Sequence, residues 1–164
     1  MKYWITTDTH FFHEKMYEYC NRPLGFEYII LKNLKDVIQK DDILIHLGDI
    51  CISQDAKAHN TFINAIKCRK WLIRGNHDKK SDTWYLSHGW DFIGKYVVAD
   101  MFGKNIILSH EPVKADLLNH FDINIHGHNH NNENYNKLDK QKLIALEYTD
   151  YKPVLLCDII GKKV

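Results

Sequence analysis

The sequence predicts an α/β fold built from layers, and two observations support that prediction. Predicted strands and helices alternate through the first half of the chain, whereas the second half, after Gly89, is mostly strands. A purely doubly wound sheet would keep alternating to its end, so this order favours packed α/β layers. The 164 residues and 45% hydrophobic content are enough for one domain over residues 1–164 with a sizeable core.

Each predicted element of the first half follows from a local pattern. Apolar residues recur at helical spacing from residue 28 to 39, whereas residues 43–47 form a short apolar run typical of a buried strand. Pro23 marks a turn because proline disfavours helical backbone at Arg22. Ser53 is predicted to cap the next helix. The predicted order is strand 2–6, helix 11–20, turn 21–25, helix 28–39, strand 43–47, a helix after Ser53 and strand 71–73.

The second half is predicted from turn residues and strand patterns. Ser81 is expected to cap a short helix, and Gly103-Lys104 is expected to join two strands in a hairpin. The predicted order is strand 96–102, strand 105–108, helix 114–119, strand 123–126, strand 143–147 and strand 154–159.

Composition argues against several classes of protein. Lys+Arg 22 against Asp+Glu 21 gives a formal net charge of +1, which argues against retention on nucleic acid by a strong basic field. No apolar run approaches the roughly 18 to 20 residues that span a membrane, and the N-terminus lacks a signal-peptide pattern. The four cysteines form no CxxC pair, which predicts reduced thiols in a cytoplasmic protein rather than disulfides or a thiolate zinc site.

Histidine is frequent, with 11 residues spread from His10 to His130 rather than gathered in a terminal run. Several stand with Asp or Asn directly after predicted strands, where open α/β sheets gather their sites. Such mixed oxygen and nitrogen donors suit Mn, our working choice, or Fe, Zn or Ni. Seven ligands are too many for one ion in an open site, so we expect two divalent transition-metal ions bridged by Asp49. The seven candidate metal ligands are Asp8, His10, Asp49, Asn76, His110, His128 and His130.

Five blocks of the sequence resemble those of the calcineurin-like metallophosphoesterases and occur in that family's order. The blocks are Asp8-Thr9-His10, Gly48-Asp49, Gly75-Asn76-His77-Asp78, Ser109-His110 and Gly127-His128-Asn129-His130. The resemblance implies two packed mixed β-sheets flanked by helices, a four-layer αββα sandwich. It also implies a division of the ligands around the bridging Asp49. One metal ion would be held by Asp8, His10 and His130, and the other by Asn76, His110 and His128.

The resemblance further implies roles for two residues beside these ligands. His77 would lie over the substrate as a general acid or charge stabiliser, which is chemically reasonable because a leaving alkoxide needs a proton. Asp78 would orient the His77 ring, as carboxylates commonly do for imidazoles.

The sequence departs from the protein-phosphatase-like members of that family at one point. In those members the Gly-Asp block continues to a second Asp and an Arg, whereas Gly48-Asp49 continues here as Ile50-Cys51-Ile52-Ser53, with no such pair. This favours the small single-domain phosphodiesterase branch. Residues 8–13 and 21–23 are similar to those of small bacterial and phage phosphoesterases. In that comparison, the candidates for contacting substrate phosphate are His13, Arg22 and Arg74.

Together these features predict a metal-dependent phosphoric ester hydrolase. A hydroxide bridging the two metal ions would attack phosphorus while His77 assists the leaving group. The expected substrate is a small phosphodiester or a nucleotide, and the sequence does not determine the oligomeric state. Two alternatives stay open: a nuclease acting on polynucleotide, and a non-catalytic member that binds a nucleotide or a protein partner. The presence of all seven ligands and of His77 favours the enzyme.

The remaining histidines have a structural interpretation. His46 and His126 lie on predicted buried strands and are expected to be hydrogen-bonded core residues. His59, His88 and His120 fall on helical or loop positions and are expected to face solvent.

Overall fold

The structure, a computed structural model, describes residues 1–132, 134–135 and 137–161, and the last three positions of the predicted domain lie outside these ranges. The strands are β1 (Tyr3–Thr6), β2 (Ile43–His46), β3 (Arg69–Ile73), β4 (Phe92–Gly94), β5 (Tyr96–Met101), β6 (Lys104–Ser109), β7 (Ile123–His126), β8 (Gln141–Leu143) and β9 (Val154–Leu155). The α-helices are α1 (Met16–Tyr19), α2 (Phe26–Val37), α3 (Asp55–Thr61), α4 (Asp82–Ser87), α5 (Ala115–Leu118) and α6 (Leu156–Ile160). Short 3-10 turns lie at Ile63–Ala65 and Leu146–Tyr148.

The strands of the described residues form two mixed β-sheets. The first has the order β4-β3-β2-β1-β9, in which β1 to β4 are parallel and β9 is antiparallel to β1. The second has the order β5-β6-β7-β8, in which β5 is antiparallel to β6 and the other neighbours are parallel. The predicted architecture of two mixed sheets flanked by helices is therefore confirmed.

Alternating side chains along the strands produce two buried apolar clusters. In β2, Leu44 packs with residues of α2 and α3, whereas Ile43 and Ile45 pack with Ile106 and Leu108 of the second sheet. Every residue of β2 is thus buried, which explains why its sequence is a continuous apolar run rather than an alternating one. The second cluster joins the two sheets to each other and holds their strand ends at fixed positions.

Most predicted elements are present, and several differ from their expected bounds. Ser81 caps α4 as predicted, since its hydroxyl oxygen accepts the Trp84 backbone N–H. The prediction that Ser53 caps α3 is wrong, because Gln54 occupies the cap position in a left-handed conformation and no side chain caps it. The predicted helix 11–20 is limited to α1, because Phe12 has a positive φ of 62° that an α-helix cannot contain.

The C-terminal part differs most from prediction. The predicted strand 143–147 is replaced by β8, which ends at Leu143, and by the 3-10 turn that contains Glu147. The predicted strand 154–159 is a two-residue strand followed by α6, because a short apolar run is compatible with either structure and packing decides between them. β4, only three residues long, was not predicted.

Two of the structural histidine predictions are confirmed. His46 is buried, accepts the Gly48 backbone N–H at Nδ1 (3.1 Å) and contacts the Thr9 hydroxyl through Nε2 (3.0 Å). His126 is also buried, and its Nδ1 donates to the Gly127 carbonyl oxygen (2.9 Å). Both therefore act as hydrogen-bonded core residues.

The prediction that His59 faces solvent is wrong, because its side chain is fully buried. Its Nδ1–H donates to the Asp55 carbonyl oxygen (2.8 Å), and its Nε2 accepts the Trp90 indole N–H (2.9 Å). These two bonds define a neutral imidazole. Burial lowers the pKa of His59 to about 4, with His88 adding to that effect and Asp55 opposing it.

We expect His59 to make the fold sensitive to acid. Below pH 6.5 the unfolded chain protonates His59 while the folded chain does not, so stability falls until the pH reaches about 4. Urea unfolding of metal-free protein at pH 7 and pH 4.5 should show that wild type loses about 2 kcal/mol more than His59→Gln. Equal losses in the two proteins would show that His59 does not contribute.

Candidate metal centre

The seven predicted metal ligands lie in loops that follow five strands. Three of these strands, β1, β2 and β3, are parallel neighbours in the first sheet, and β6 and β7 are parallel neighbours in the second. Their carboxyl ends therefore lie at one edge of each sheet, where α/β proteins gather their sites. In chain order the ligands after these strands are Asp8 and His10, then Asp49, then Asn76, then His110, and finally His128 and His130.

Asp8, His10 and His130 form what we call the first group. Their ligand atoms all lie within 4.8 Å of one another. Asp8 Oδ2 accepts hydrogen bonds from the Thr7 hydroxyl (2.6 Å) and the His128 backbone N–H (2.9 Å). Asp8 Oδ1 is left facing His130 Nε2 at 3.7 Å and His10 Nε2 at 4.0 Å. Hydrogen bonds to Oδ2 thus fix the orientation of the Asp8 carboxylate, and Oδ1 points to the two imidazoles.

Asn76, His110 and His128 form the second group. His110 Nε2 lies 2.9 Å from Asn76 Oδ1, and His128 Nδ1 lies 3.0 Å from each of these two atoms. His110 Nδ1 donates to the Leu47 carbonyl oxygen (2.8 Å), which directs the other ring nitrogen to the centre. Two ring nitrogens and an amide oxygen therefore converge on one point.

Asp49 lies between the two groups. Its Oδ2 is 3.4 Å from His110 Nε2 in the second group and 3.8 Å from His10 Nε2 in the first. Its Oδ1 accepts the His77 backbone N–H (2.9 Å). This is the position that the sequence predicts for a bridging carboxylate.

The residues of the centre fit divalent metal ions. Asp8 Oδ1 is buried and finds no hydrogen-bond partner within the described ranges. The distances of 3.7 to 4.0 Å in the first group are too long for hydrogen bonds, whereas ligands about 2.1 Å from one ion stand about 3 to 4 Å apart. A cation in each group would satisfy lone pairs that otherwise face each other. The donor set of carboxylate, amide and imidazole matches transition metals.

The ligand loops have an unusual backbone. Five of the seven ligands adopt left-handed conformations, which for non-glycine residues cost on the order of 1 kcal/mol each. These are Asp8, His10, Asp49, His128 and His130, with φ between 45° and 71°. Such conformations persist only where surrounding contacts enforce them. The loops therefore hold ligands in positions that the chain alone would not prefer.

Two glycines allow the carboxylates to approach neighbouring loops. A Cβ at Gly75 would collide with the Asp49 carboxylate, and one at Gly127 would collide with Thr7 and the Asp8 carboxylate. The glycines of the Gly-Asn-His-Asp and Gly-His-Asn-His blocks are thus required by close packing of one ligand loop on another.

The charges of the metal-free centre depend on one another. Burial raises the pKa of Asp49, but the hydrogen bond and charge of His110 outweigh burial and hold the Asp49 pKa below its ordinary value. Burial lowers the pKa of His110, but its hydrogen bond to Asp49 and the charges of Asp8 and Asp49 raise it to about 9. A proton on His110 therefore balances the Asp49 carboxylate without metal, and metal binding would displace it.

His77 and Asp78 occupy different environments. The His77 side chain is 38% exposed, with Nε2 3.9 Å from Asp49 Oδ2. The Asp78 carboxylate is buried and accepts backbone N–H groups of Asp49 (2.9 Å), Ile50 (3.1 Å) and Gly75 (2.8 Å). No hydrogen bond joins Asp78 to the His77 ring in the described structure. The expectation that Asp78 orients His77 is corrected: Asp78 instead ties the loops after β2 and β3 together.

The three candidates for phosphate contact are placed differently. His13 lies beside the centre, with its ring centroid 5.7 Å from that of His10. Arg74 is half-buried on the wall of a cavity that reaches Asn76, and its Nη1 lies 3.2 Å from Asp82. Arg22 is buried, so the expectation that it contacts substrate is corrected.

Arg22 instead pairs with Glu147, a residue that the sequence analysis missed. Its Nε and Nη2 donate to Glu147 Oε1 at 2.8 and 2.7 Å. Glu147 Oε1 also lies 3.4 Å from His130 Nδ1. Glu147 is 17 residues beyond His130 and in a segment predicted as a strand, so no local pattern indicated this contact.

Two cavities open beside the centre. The first, of about 630 Å³, reaches the second group and is lined in part by Arg74, Asn76, Lys95, Tyr96, His110 and Leu117. The second, of about 660 Å³, is lined in part by Tyr19, His128, Asn129, His130, Asn131 and Asn132. The two cavities meet different members of the ligand set.

Comparison with known proteins gives a consistent assignment. A sequence model of the calcineurin-like phosphoesterases matches residues 1–157. The chain belongs to the calcineurin-like phosphoesterase family. An uncharacterized protein of Methanocaldococcus jannaschii, MJ1445, is 32% identical over 177 residues, covering 99% of this chain and 91% of that protein.

Solved structures resemble this family member along most of its length. One is the crystal structure of a protein of unknown function, AQ665 from Aquifex aeolicus. Its sequence is 31% identical to this chain, the TM-score is 0.80, and the match covers 97% of each chain. A novel archaeal phosphodiesterase is 17% identical with a TM-score of 0.54, covering 88% of this chain and 82% of that one. At 17% identity the second likeness shows the fold alone.

The family assignment indicates a metal-dependent phosphoesterase. The grouped ligands of the calcineurin-like phosphoesterase described here are its candidate metal-binding residues. Across the described ranges, no helix combines the length and apolar character needed to cross a membrane.

Proposed function

We propose that this chain is a two-metal phosphodiesterase that hydrolyses small phosphodiesters, including nucleotide diesters. The observation that carries the proposal is the meeting of two carboxylates, one amide oxygen and four imidazoles at five strand ends, with the half-exposed His77 beside them. When bound, the metal ions would supply an activated water and neutralise charge on the phosphoryl group. We propose Mn as the metal, with Fe, Zn or Ni as alternatives.

The protein's own residues have separate tasks in this proposal. The first and second groups would each hold one ion, with Asp49 between them. His77 would donate a proton to the leaving oxygen, because its ring lies next to Asp49 and is 38% exposed to solvent. Its backbone N–H bond to Asp49 Oδ1 keeps that ring at the edge of the centre.

The two cavities support a diester substrate. A phosphodiester carries two substituents, whereas a monoester carries one. The first cavity extends from the second group, and the second cavity extends from His128 and His130. Each substituent of a diester could therefore lie in a separate cavity while the phosphate occupies the centre.

The segment after Asp49 argues against a protein phosphatase. Ile50 and Cys51 are buried in the apolar cluster under the first sheet. The next two residues, Ile52 and Ser53, are exposed but uncharged, so the stretch from Ile50 to Ser53 presents no Asp-Arg pair to a phosphate.

A nuclease is the second candidate, and one observation bears on it. Arg74, Lys95 and Lys114 line the first cavity, which would attract a polynucleotide backbone. Glu111 and Asp116 line the same cavity and offset much of that charge. This mixed lining, with the half-exposed Tyr96, favours a single nucleoside substituent over a long charged strand.

The proposal is tested by comparing a diester and a monoester. With metal-stripped protein reloaded with Mn, Fe, Zn or Ni, bis-p-nitrophenyl phosphate should be hydrolysed at least about tenfold more efficiently in kcat/KM than p-nitrophenyl phosphate. Preference for the monoester would make the protein a phosphatase. Efficient cleavage of oligonucleotides, with little activity on small diesters, would favour the nuclease. If fully metal-loaded protein hydrolyses none of these esters, the proposal that the chain is an enzyme is wrong.

A variant of Tyr96 sharpens this experiment. If a nucleobase stacks on Tyr96, Tyr96→Ala should lower kcat/KM for thymidine 5′-(p-nitrophenyl phosphate) by about tenfold. The same variant should leave methyl p-nitrophenyl phosphate unaffected, because a methyl group does not stack. Tyr28→Ala is the matched control, since Tyr28 is also exposed and does not line the cavity.

A further inference from the structure

Arg22 and Glu147 form a buried ion pair that touches the first group from outside. The Arg22 side chain is fully buried, and the Glu147 side chain is 6% exposed. Besides its two bonds to Glu147 Oε1, the guanidinium donates from Nη1 to the Thr9 carbonyl oxygen (3.0 Å) and from Nη2 to the Asp8 carbonyl oxygen (2.8 Å). One side chain therefore binds both Glu147 and the backbone of the loop that carries Asp8 and His10.

Glu147 connects this ion pair to the third member of the first group. Its Oε1 lies 3.4 Å from His130 Nδ1, while the opposite ring nitrogen, Nε2, faces Asp8 Oδ1 at 3.7 Å. A hydrogen on Nδ1 directed to Glu147 leaves the Nε2 lone pair for a metal ion. Each nitrogen of the His130 ring thus has its own partner: Glu147 for Nδ1 and a metal ion for Nε2.

We propose that Arg22 and Glu147 act together as positioning residues for the first metal ion. Arg22 holds the Asp8 loop by its carbonyl oxygens, and Glu147 holds the ring of His130. The same guanidinium links the two tasks, so the loop after β1 and the loop after β7 are set relative to each other. This inference rests on the proposed metal centre, and it assigns no contact with substrate to either residue.

The backbone conformations explain why such support is needed. All three members of the first group have left-handed backbone, with φ of 48° at Asp8, 45° at His10 and 48° at His130. Residues of this kind relax to ordinary conformations unless neighbouring contacts prevent it. The carbonyl bonds from Arg22 fall on the Asp8–Thr9 segment, where relaxation would move two ligands at once.

Direct metal ligation by Glu147 is an alternative role, and the contacts fit it less well. Cys20, His130 and Glu147 also have ligand atoms within 4.8 Å of one another and could hold a metal ion themselves. However, the Arg22 guanidinium lies 2.7 Å from Glu147 Oε1, and its positive charge would repel a cation held by either carboxylate oxygen, including Oε2, which has no hydrogen-bond partner among the described residues. The contacts therefore favour positioning over direct ligation.

The test is calorimetric titration of Mn²⁺ into metal-stripped protein, which reports metal affinity independently of activity. Glu147→Ala should weaken one of two Mn²⁺ sites by about 10- to 100-fold and leave the other unchanged. Glu147→Gln should lose less, because its amide oxygen still accepts the His130 Nδ1–H. Arg22→Lys should also weaken that same site, since an ammonium cannot make the forked contacts of a guanidinium.

Two further variants separate the alternatives. Asp42→Asn removes a buried carboxylate that accepts bonds from Lys2, Trp4 and Gln39, so it should reduce thermal stability without changing Mn²⁺ affinity. Cys20→Ala should leave Mn²⁺ affinity unchanged. If Cys20→Ala weakens Mn²⁺ as much as Glu147→Ala does, these residues are ligands and the positioning role is overturned.

Two results distinguish failure of this inference from failure of the metal centre. Wild-type affinity in Glu147→Ala, with only a lower unfolding temperature, would show that the ion pair is merely structural. Wild-type protein that binds no Mn²⁺, Fe²⁺, Zn²⁺ or Ni²⁺ would instead overturn the metal centre from which the inference starts.

Discussion

Asp49→Asn should reduce the rate of bis-p-nitrophenyl phosphate hydrolysis by about a hundredfold to a thousandfold. It should also remove at least one of the two metal ions per chain. The reason is the place of Asp49 Oδ2, which lies 3.4 Å from His110 in the second group and 3.8 Å from His10 in the first. An amide there presents either a neutral oxygen or an NH₂ group to the ions. Metal content of the purified, dialysed protein and steady-state rates would be measured together.

The substitution is chosen so that the fold is retained. An Asn side-chain oxygen can still accept the His77 backbone N–H that Asp49 Oδ1 accepts at 2.9 Å. Asp42→Asn, the same change at a buried carboxylate outside the centre, should keep two ions and full activity. If Asp49→Asn also keeps two ions and activity within about threefold of wild type, Asp49 does not bridge them.

His77→Ala should lower kcat by about 10²- to 10⁴-fold while the protein keeps two metal ions. Alanine retains the backbone N–H that bonds Asp49, so only the imidazole is removed. The ring is 38% exposed with Nε2 3.9 Å from Asp49 Oδ2, a position from which it can reach a leaving oxygen. The measurement is kcat for diesters together with metal content.

The leaving group provides the sharper control. If His77 donates a proton, the loss should be larger for an alkyl leaving group than for p-nitrophenolate, which departs readily without one. His13→Ala is the matched comparison, because its ring also lies beside His10 and its expected effect is on KM. A loss that is equal for both leaving groups would assign His77 to charge stabilisation rather than proton donation.

The meeting of the seven ligands could be predicted because each ligand follows a recognisable strand. Gly48-Asp49 comes directly after the apolar run of β2, and His110 directly after β6. Parallel strands end at the same edge of a sheet, so strand prediction brings together the loops after β1 to β3 in one sheet and those after β6 and β7 in the other, and packing of the two sheets joins the two sets. Errors of one or two residues at strand ends do not alter that result.

The roles of Asp78 and Arg22 could not be predicted in the same way. Both follow family-like motifs, yet one accepts three backbone N–H groups and the other is buried on Glu147. Which group a charged side chain contacts depends on loops distant in sequence. Arg22 and Glu147 are 125 residues apart, whereas propensity patterns relate only residues that are close in sequence.

His59 and α6 show the same limit within the core. His59 lies on a helical segment that looks exposed, yet Trp90 supplies a hydrogen bond that makes its burial acceptable. The apolar run from residue 154 is compatible with a strand, but Leu156 packs between the sheets as the first residue of a helix. In both cases tertiary packing overrides the local preference.

The sequence by itself determined the layered α/β class, the strands that carry the site and the identity of seven candidate ligands, because periodicity and turn residues are local and strand ends share an edge. Tertiary structure alone decided which carboxylate oxygen points to an imidazole, which ligands adopt left-handed backbone, and which buried residues support them. Those features depend on contacts between segments far apart in the chain, whose free energies are comparable to the local preferences they overcome.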